Sequence, residues 1–484
     1  MKLNNPELLR SQCLINGEWC DALSGKREAV INPATGAELA SIPLVSEEET
    51  QQAIAAAQRA QNEWKQLTAK QRSALLLAWA DKVLAAQEDL AQLMTAEQGK
   101  SLAEARGEVA YAASFITWFA EEAKRVDGAV LQAPQASQRL VVVKQPIGVC
   151  AAITPWNFPA AMITRKVAPA LAAGCAIIVK PAEQTPLTAL ALAKLAQDAG
   201  IPAGVLQVVT GEAAQVGKVL CDSPVVRKLS FTGSTEVGRI LMAQCAPSIK
   251  KLSLELGGNA PVIVFDDANL DAAVAGIMAS KFRNSGQTCV CANRIYVQDG
   301  IYERLVEKLV AAVEQLKVGD GSQEGTTQGP LIDSDAVAKV QSHIDDALIK
   351  GAQIATGGQP HALGGTFFQP TVVTGVTQKM RFAKEETFGP VAPLFRFHDE
   401  AEAIAMANDT EFGLAAYLFT QNAARQWRVP EVLEYGMVGI NTGLISNEVA
   451  PFGGVKQSGL GREGSRYGIE EYLELKYLCI DVSC

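Results

Sequence analysis

The apolar positions in the first quarter of the chain follow a helical period. Ser46 and Glu49 have the spacing of a capping box and mark the start of a helix. Farther along, apolar residues recur at steps of three and four at Leu75, Leu76, Trp79, Val83 and Leu84. This spacing buries one helical face and leaves polar residues such as Arg72 in solvent. We therefore predict a helical scaffold from residue 46 to about residue 124.

From residue 149 the pattern changes to short apolar runs separated by helical stretches. The strand-like runs are Val149–Ile153, Ala176–Val179, Val205–Val209 and Leu229–Phe231. Strands that alternate with helices predict a parallel, doubly wound sheet. Ligands of such sheets bind beyond the carboxyl ends of the strands, so the residues that follow each run are candidates for a site. These residues are Trp156 and Asn157, Lys180 to Glu183, Gly211, and Gly233 to Gly238.

A second α/β unit is predicted from Pro261 to about Tyr435, with apolar strands at 262–265 and 294–297 and a helix near 301–316. The sequence shows no internal repeat and no low-complexity tract. Two predicted domains therefore account for most of the chain.

Three further segments fall outside these regular patterns. Gln138–Lys144 is rich in β-branched residues and predicts an extended strand, which we expect in a projecting hairpin. Tyr472–Ile480 is an apolar, strand-like tail. Residues 439–464 are rich in glycine and too long for a plain connector, and long irregular segments tend to carry function.

Composition and charge narrow the class of protein. The chain has 484 residues, which is too long for one core and favours two or three domains. Apolar residues make up 48% and charged residues 20%, as in ordinary globular proteins. The net charge of −9, without a block of Lys or Arg, argues against nucleic acid and anionic membranes as partners. The first residues lack an apolar signal region, so we expect a cytoplasmic protein that acts on small molecules.

The cysteines and histidines limit the possible chemistry. Ten cysteines without the spacing of a disulfide framework indicate free thiols in a reducing compartment. Cys289 and Cys291 are close in sequence, but the histidines, His343, His361 and His398, are scattered, so we predict no metal site. A Cys–His hydrolase is also disfavoured, because no histidine has a recognisable local context. A carboxylate is the better candidate for a general base.

One thiol stands in a context that indicates catalysis. Cys289 follows a glycine-containing turn at 284–288, after a helical segment at 270–282, whereas a single cysteine is most often a small buried hydrophobe. Upstream, LELGGN places Glu255 at the end of an apolar strand, where a carboxylate is unusual. PWNFP holds the Asn157 amide between two prolines. A thiol, a carboxylate and an amide are the groups needed for acyl chemistry through a thioester.

A weaker signal indicates a nucleotide. In FTGSTEVG, Gly233 leaves a strand, Ser234 has an N-cap position and Gly238 lies in the first turns of a helix. Backbone N–H groups at such a terminus suit a pyrophosphate, although the motif is not the GxGxxG fingerprint and also fits an ordinary capped helix. Lys180 and Glu183 strengthen the hypothesis, because a lysine and a carboxylate at a strand end can bind ribose hydroxyls.

Several motifs occur in the order and at the spacing of the NAD(P)-dependent aldehyde dehydrogenases. They are PWNFP, KPAEQTP, FTGSTEVG, LELGGN, GQTCV, EETFGPV and PFGG. The chain therefore resembles this family along its whole length. Within the family it is most similar to the succinate-semialdehyde dehydrogenases, through AMITRK at 161–166, KFRNSGQTCVCANR at 281–294 and NTGLISNEVAPFGG at 441–454.

The resemblance implies an α/β fold with a Rossmann-like cofactor domain, an α/β catalytic domain and a small β oligomerisation element. The NAD(P)-binding domain would comprise residues 1–126 and 147–255, and the catalytic domain residues 256–466. The oligomerisation element would comprise residues 127–146 and 467–484. In this family the C-terminal strand typically pairs with the sheet of a neighbouring subunit, so we expect a homodimer or homotetramer.

The resemblance also assigns the catalytic roles. Cys289 would attack the aldehyde, and the Asn157 amide and the Cys289 backbone N–H would form the oxyanion hole. Glu255 would activate the water that hydrolyses the thioester. Cys291 would be a possible redox partner of Cys289, because some relatives use such a bond as a switch, and the other possibility is that Cys291 only lines the pocket.

The cofactor-binding residues implied by the resemblance form a longer set. They are Ile153, Trp156, Lys180, Glu183, Gly233, Ser234, Gly238, Glu386 and Phe388. Of these, Lys180 and Glu183 would hold the adenine ribose, and Glu386 and Phe388 the nicotinamide riboside. A carboxylate at Glu183 would repel the 2′-phosphate of NADP, so we predict that NAD is preferred to NADP.

The substrate prediction depends on two arginines and a serine. Arg165 would otherwise be a solvated helical residue, and Arg283 a cation at the C-terminal end of a helix, where the helix dipole favours it. Two guanidinium groups and the Ser446 hydroxyl would instead bind the carboxylate of a four-carbon semialdehyde, as the resemblance implies. The predicted reaction is the oxidation of succinate semialdehyde to succinate, with glutarate semialdehyde or another ω-carboxylated aldehyde as the alternative.

Two functions of other classes compete with this prediction. A CoA-acylating dehydrogenase shares the thioester but usually lacks the general base, so Glu255 favours hydrolysis. A non-catalytic protein with the same fold would be expected to lose Cys289, Asn157 or Glu255, and all three are present.

Overall fold

The helical scaffold begins where the capping signals lie. In the computed structural model, which describes residues 1–483, the Ser46 hydroxyl accepts a hydrogen bond from the Glu49 N–H, and the Glu49 carboxylate accepts one from the Ser46 N–H. Thr68 and Gln71 form a second capping box at the next helix. Each box pairs amide groups that the first turn of a helix leaves free. The predicted helical scaffold is confirmed.

Helices and strands alternate along most of the chain. The α-helices of the described residues are, in chain order, α1 (Glu47–Trp64), α2 (Ala69–Ala85), α3 (Gln87–Gln98), α4 (Leu102–Glu122), α5 (Ala161–Ala173), α6 (Pro186–Asp198), α7 (Ala213–Asp222), α8 (Thr235–Cys245), α9 (Leu270–Lys281), α10 (Tyr302–Val313), α11 (Ser334–Ile349), α12 (Glu400–Asn408), α13 (Arg425–Val432) and α14 (Ser465–Glu470). The strands are β1 (Cys13–Ile15), β2 (Glu18–Cys20), β3 (Arg27–Ile31), β4 (Glu38–Pro43), β5 (Ala129–Leu131), β6 (Gln138–Pro146), β7 (Val149–Ile153), β8 (Ala176–Lys180), β9 (Leu206–Val208), β10 (Val226–Thr232), β11 (Lys251–Glu255), β12 (Ala260–Val264), β13 (Ala292–Gln298), β14 (Gln353–Thr356), β15 (Thr371–Val376), β16 (Val391–Phe397), β17 (Ala415–Phe419), β18 (Met437–Ile440), β19 (Gly459–Leu460) and β20 (Leu473–Asp481).

The first large sheet has the strand order β19-β11-β10-β7-β8-β9-β1-β2. Strands β7 to β11 pair in parallel, and β1, β2 and β19 are antiparallel additions at the two edges. One apolar cluster joins this sheet to α2, α4, α5 and α6, and a second joins its other face to α1, α7 and α8. The predicted doubly wound parallel sheet is confirmed, since helices cover both faces.

The second large sheet has the order β14-β15-β16-β13-β12-β17-β18. Its strands pair in parallel except for β14, which is antiparallel to β15 at one edge. Apolar residues of α9 and α10 pack on one face, and those of α11, α12 and α13 pack on the other. The predicted second α/β unit is confirmed.

The predicted extended segments join in a third sheet, of order β20-β6-β5. β20 pairs antiparallel with β6 along its whole length, from Leu473 opposite Pro146 to Asp481 opposite Gln138. The two β-rich segments are far apart in sequence but pair with each other within one chain. This pairing explains them without a neighbouring subunit, and pairing with such a subunit stays a prediction. Cys484, the last residue of the predicted oligomerisation element, lies outside the described residues.

The two large sheets meet where β11 gives way to β12. Glu255 ends β11 in the first sheet, and Ala260 begins β12 in the second. The glycine-rich segment returns to the same place, because Gly459 of β19 pairs with Glu255. Although β19 belongs to the first sheet, it falls inside the predicted catalytic domain, whose boundaries stay a prediction. Within residues 1–483 no helix combines the length and apolar character needed to cross a bilayer.

Candidate active site

The carboxyl ends of the parallel strands surround a cavity of about 290 Å³. Trp156 and Asn157 follow β7, Gly233 follows β10, and Glu255 ends β11, and all four line this cavity. Cys289, from the turn that precedes β13, lines it as well. The sites predicted from the ends of the strands therefore meet, and the three predicted catalytic side chains share one cavity.

A strained turn presents Cys289. Asn284 and Ser285 have φ angles of 50° and 53°, in the left-handed region that side-chain-bearing residues rarely adopt. The Asn284 N–H donates to Glu104 Oε1 at 2.7 Å, which fixes the turn to α4. A Cβ atom on Gly286 would lie only 2.1 Å from a neighbouring backbone carbonyl oxygen. Buried hydrogen bonds and close packing hold a conformation that is unfavourable by itself, as is common at functional sites.

The Cys289 thiol is half-buried and keeps its proton at neutral pH. Burial raises its pKa to about 12, while the Arg165 guanidinium acts in the opposite direction. The carboxylates of Glu386 and Glu255 add to the increase. Because the thiolate is the nucleophile, the thiol must pass its proton to an acceptor before it attacks.

The Asn157 side chain is oriented by its neighbours. Its Nδ2 donates to the Gln287 carbonyl oxygen at 3.0 Å, in the turn that leads to Cys289. A primary amide has two donor hydrogens, so one N–H stays available in the cavity beside the thiol. Asn157 itself is buried, with 4% of its surface exposed. A buried amide donor fixed next to a nucleophile is the arrangement of an oxyanion hole.

Glu255 has the environment of a general base. Neither of its carboxylate oxygens has a hydrogen-bond partner among the described residues, although the side chain is buried. Burial, followed by the negative charge of Glu463, raises its pKa well above the usual range, and the cations Arg165 and Lys166 oppose this. No histidine lines the cavity in the part of the chain that the structure describes. A carboxylate with a raised pKa suits proton transfer from water near neutral pH.

A buried ion network behind Glu255 was missed in the sequence analysis. Lys166 Nζ donates to Thr232 Oγ1 at 2.6 Å and forms an ion pair with Glu463. Glu463 also pairs with Arg165, whose Nη2 lies 3.0 Å from Glu463 Oε2. Two adjacent cations in α5, whose other residues are all apolar except Thr164, were the available signal; every residue of this helix is buried. The network supplies positive charge on one side of Glu255.

Arg165, Arg283 and Ser446 line a second, narrow cavity, which Cys289 also lines. We call it the arginine cavity; its free volume is about 10 Å³. The structure thus brings together the three residues predicted to bind the substrate carboxylate. Tyr111 and Phe452 also line it and were not predicted, because no motif contains Tyr111 and nothing in PFGG marks Phe452 as part of a binding site.

The two arginines differ in their partners. Arg165 is buried, is paired with Glu463, and has its guanidinium carbon 3.9 Å from the centre of the Phe452 ring. Arg283 is half-buried and stacks at 4.9 Å over the Phe158 ring, without an acidic partner among the described residues. An uncompensated guanidinium group in an apolar cavity suits an anionic ligand.

Other residues that line the wide cavity have the features of a nucleotide site. The ring of Trp156 meets that of Phe388 edge to face, with centroids 5.6 Å apart. Ser234 caps the start of α8, where free backbone N–H groups suit a phosphate. Glu386 is half-buried, and desolvation of its carboxylate raises its pKa to about 7 while the Gly258 N–H donates to it at 3.2 Å. These residues fit the nicotinamide and phosphate groups of a pyridine nucleotide.

The remaining predicted cofactor residues lie outside the lining of this cavity. Lys180 and Glu183 form an ion pair at the end of β8, and Lys180 is next to Ile153 on the neighbouring strand. Their position suits an extension of the nucleotide site past the carboxyl ends of β7 and β8. Gly238 is buried under Leu256, whose Cδ2 would lie 2.5 Å from an added Cβ atom. The glycine therefore permits close packing of α8 on the loop after β11.

Cys291 faces away from the wide cavity. Its Sγ donates to the Lys281 carbonyl oxygen at 3.0 Å, and the residue is buried. Burial raises the pKa of this thiol, against the effect of the Lys281 ammonium group. A disulfide with Cys289 would require this hydrogen bond to break, and the redox switch stays a prediction.

Comparison with known proteins agrees with this geometry. A profile of the aldehyde dehydrogenase family matches residues 19–478. The chain is 64% identical over 480 residues to the succinate-semialdehyde dehydrogenase (NADP+) of Escherichia coli, covering 99% of this chain and 100% of that protein. It is also 64% identical over 482 residues to the glutarate-semialdehyde dehydrogenase of Pseudomonas putida, covering 100% of each.

A solved structure extends the likeness to the whole fold. The crystal structure of succinate-semialdehyde dehydrogenase from Burkholderia pseudomallei superposes with a TM-score of 0.99 at 63% identity, covering 100% of both chains. The resemblance and the fold predicted from the motifs are confirmed. The chain belongs to the aldehyde dehydrogenase family and is a pyridine-nucleotide-dependent oxidoreductase that acts on aldehydes.

Proposed function

We propose that the protein oxidises an aldehyde with a pyridine nucleotide as the oxidant and with a thioester on Cys289 as the intermediate. The Cys289 thiol first loses its proton to solvent. The thiolate sulfur then attacks the carbonyl carbon, a C–S bond forms, and the π electrons of the carbonyl group move to its oxygen, which becomes an oxyanion. Asn157 Nδ2 and the Cys289 N–H donate to that oxyanion, and the loss of one such donor typically costs about 3 kcal/mol of barrier. When bound, the nicotinamide ring accepts the hydride that leaves the former carbonyl carbon. The carbon–oxygen double bond then re-forms as the thioester.

Glu255 completes the cycle. Its carboxylate takes a proton from water, and the resulting hydroxide attacks the thioester carbon. The C–S bond breaks and the leaving sulfur takes the remaining hydroxyl proton, so the products are a carboxylate and the Cys289 thiol. Glu255 then returns its proton to solvent. The observation that supports this role is the buried carboxylate without hydrogen-bond partners in the same cavity as the thiol. Release of the acyl group to CoA is disfavoured because it needs no such base.

The substrate that fits best is succinate semialdehyde. The observation that carries this proposal is the arginine cavity, because Arg165, Arg283 and Ser446 line the same narrow space as Cys289. A carboxylate held by a guanidinium fork would place the aldehyde of a short chain at the thiol. The narrowness of the cavity favours a short aliphatic chain. The relative from Escherichia coli carries this substrate in its name.

Glutarate semialdehyde is the second candidate. An equally similar relative, from Pseudomonas putida, is named for it. One additional methylene group changes binding by only about 1–3 kcal/mol, and the same arginines would hold either carboxylate. Steady-state kinetics with succinate semialdehyde, glutarate semialdehyde and butanal test the proposal. The highest kcat/KM should be found for succinate semialdehyde, and an equal value for butanal would refute a carboxylate-binding site.

We also propose that NAD is preferred to NADP. The support is Glu183, which is about one-quarter exposed and adjoins Lys180 at the end of β8. A 2′-phosphate beside this carboxylate would face a like charge, although the relative from Escherichia coli is named for NADP+. Initial rates over a range of NAD and of NADP concentrations give kcat/KM for each nucleotide. The ratio of the two values decides the preference.

Assembly into a homodimer or homotetramer is part of the same proposal. The third sheet exposes apolar side chains at Val130, Leu131, Leu475, Tyr477, Leu478 and Ile480. Several exposed apolar side chains on one small sheet are typical of a subunit interface. Residues 127–146 and 467–484 would then form the oligomerisation element, between the proposed nucleotide-binding (1–126 and 147–255) and catalytic (256–466) domains. Light scattering of the purified protein measures the assembly.

A further inference from the structure

A buried ion pair lies behind the oxyanion donor and has no role in the chemistry described above. Lys100 follows Gly99, the residue that caps the C-terminus of α3 with a φ of 95°, and Glu108 lies in α4. Lys100 Nζ is 2.6 Å from Glu108 Oε2, and each side chain is only 1% exposed. Neither residue lines the wide cavity or the arginine cavity.

Lys100 holds the backbone of the residue that carries the oxyanion donor. Its Nζ donates to the Asn157 carbonyl oxygen at 2.8 Å. The same ammonium group lies 4.0 Å from the centre of the Phe158 ring, in a cation–π contact. The Lys100 ammonium is therefore directed at Glu108 and at two consecutive residues of PWNFP.

Glu108 holds the other end of the same segment. Its Oε1 accepts hydrogen bonds from the Ala160 N–H at 2.9 Å and the Ala161 N–H at 3.2 Å, where α5 begins. A carboxylate is favourable at a helix N-terminus because the free N–H groups and the dipole attract it. The ion pair thus fixes both ends of the segment from Asn157 to Ala161.

The turn that presents the nucleophile is tied to the same point. Asn284 Nδ2 donates to the Asn157 carbonyl oxygen at 2.9 Å, so that oxygen accepts from both Lys100 and Asn284. Asn157 Nδ2 in turn donates to Gln287. A displacement of the Asn157 backbone would therefore change the distance between its amide and Cys289.

Stability alone is a weak reason for such a pair. Desolvation of two charges cancels most of their attraction, and apolar replacements of similar volume are often as stable. The pair does, however, give the segment directional contacts that an apolar replacement lacks. Catalytic groups need this kind of support, because a displacement of about 1 Å can lower a rate about a hundredfold.

We propose that Lys100 and Glu108 are positioning residues that hold the Asn157 amide in line with the oxyanion. The inference rests on the proposed function of Asn157. It assigns the pair to the acylation step, before the thioester forms, and to no contact with substrate or nucleotide. Its effect on the rate should therefore depend on the presence of the Asn157 side chain.

A double-mutant cycle tests this dependence. Lys100→Met with Glu108→Gln removes both charges together and leaves no buried charge without a partner. The pre-steady-state burst of NADH is measured with succinate semialdehyde, in the native background and with Asn157→Ala. We expect the charge-free pair to slow the burst about tenfold to a hundredfold in the native background. With Asn157→Ala already present, it should slow the burst further by less than about twofold.

Each outcome of the cycle has one meaning. A similar loss in both backgrounds, or no loss in either, overturns the positioning role. If Asn157→Ala leaves the rate of the burst unchanged, the proposed oxyanion hole is wrong. If Asn157→Ala slows the burst but Lys100→Met with Glu108→Gln does not, only the positioning role of Lys100 and Glu108 is wrong. The nucleotide dissociation constant, measured by NADH fluorescence, should stay within about twofold in all variants.

A milder variant covers the case in which the charge-free pair does not fold. Glu108→Asp alone keeps both charges but shortens the carboxylate side chain by one methylene group, which weakens its contacts with Lys100 and with the amides of α5. It should slow the burst by a smaller factor, which again disappears with Asn157→Ala. Persistence of that factor without the Asn157 side chain would overturn the inference.

Discussion

Cys289 lines two cavities that differ in volume, in charge and in the parts of the chain that form them. The wide cavity, of about 290 Å³, is lined mainly by residues that follow strands, together with Glu386 and Phe388. The arginine cavity, of about 10 Å³, is lined by side chains from α4, α5, the Cys289 turn and the C-terminal loop. The wide one suits a large, extended cofactor, and the narrow one suits the short tail of a substrate.

The charged groups that line the two cavities also differ. Three carboxylates and one ammonium group, Glu255, Asp333, Glu386 and Lys339, line the wide side, whereas the charged groups of the narrow side are the two guanidinium groups. Substitutions on the wide side should therefore affect every aldehyde alike, and those on the narrow side should depend on the charge of the substrate. This difference can be tested residue by residue.

The largest effect is expected for Glu255→Gln, on the wide side. Since general-base catalysis contributes about 10² to 10⁴ in rate, kcat should fall by about a thousandfold. The first burst of NADH should remain, because Glu255 acts after the hydride has left. Stopped-flow absorbance with succinate semialdehyde and with butanal should show the same pattern. A burst lost together with turnover would mean that Glu255 also acts in acylation.

The native pH profile should report the same group. A general base must be ionised, and the pKa of Glu255 is raised by burial and by Glu463. The deacylation rate should therefore fall as the pH drops through that raised pKa and level off above it. Glu255→Gln should remove this acidic limb, which serves as the control for the assignment.

Arg283→Ala, on the narrow side, should have the next largest effect. Loss of a charged hydrogen bond to a buried carboxylate costs roughly 2–4 kcal/mol in kcat/KM for succinate semialdehyde. Butanal should be used poorly by the native protein and be almost indifferent to the change. Arg283 has no acidic partner among the described residues. The ion pairs of Glu463 with Arg165 and Lys166 therefore stay intact when Arg283 is removed.

Arg165→Ala provides the contrast within the same cavity. We expect a similar loss for the charged substrate, but Glu463 would also lose one of its two cationic partners. Its pKa, which these cations hold below the usual range, would rise. Arg165→Ala should therefore also lower turnover of butanal and the melting temperature. Equal losses on both aldehydes for Arg283→Ala would instead show that the arginines only support the fold.

The wide side could be predicted from the sequence because its residues are local to their strands. Trp156, Asn157, Gly233 and Glu255 each end or follow an apolar run, so the short apolar runs and the rule that ligands bind beyond the carboxyl ends of parallel strands locate them. The helical scaffold was predictable for the same reason, since capping and periodicity are short-range signals.

The narrow side and the network behind it depend on contacts between distant segments. Lys166 and Glu463 are 297 residues apart, and neither has a local signal for the other. Tyr111 lies on a helix that the sequence analysis interpreted only as scaffold. Arg165 and Arg283 were predicted only because their residue type and the family resemblance suggested a carboxylate. Lys100 and Glu108 were missed entirely, since burial cannot be inferred from a charged residue type.

A smaller effect is expected for Glu183→Gln, which tests the far end of the nucleotide site. The native preference for NAD over NADP should decrease, because a like-charge contact of about 1–4 kcal/mol disappears, reduced by solvent at this partly exposed position. The ratio of kcat/KM values for the two nucleotides measures it, with succinate semialdehyde saturating. If the native ratio already favours NADP, the role given to Glu183 is wrong.

The smallest effect should come from Tyr111→Phe, which removes a single oxygen from the arginine cavity. The Tyr111 hydroxyl is buried and has no hydrogen-bond partner among the described residues, and Arg165 and Arg283 lie close enough to lower its pKa against the larger effect of burial. A hydroxyl without a protein partner contributes nothing to stability, so the melting temperature should not fall. Beside two guanidinium groups it is placed to donate to the substrate carboxylate, and its loss should raise KM for succinate semialdehyde by about 1 kcal/mol, or roughly fivefold. KM for butanal should stay the same. A lower melting temperature with unchanged KM would show that the hydroxyl supports the fold, and the selectivity of the narrow side would then depend on the arginines and Ser446 alone.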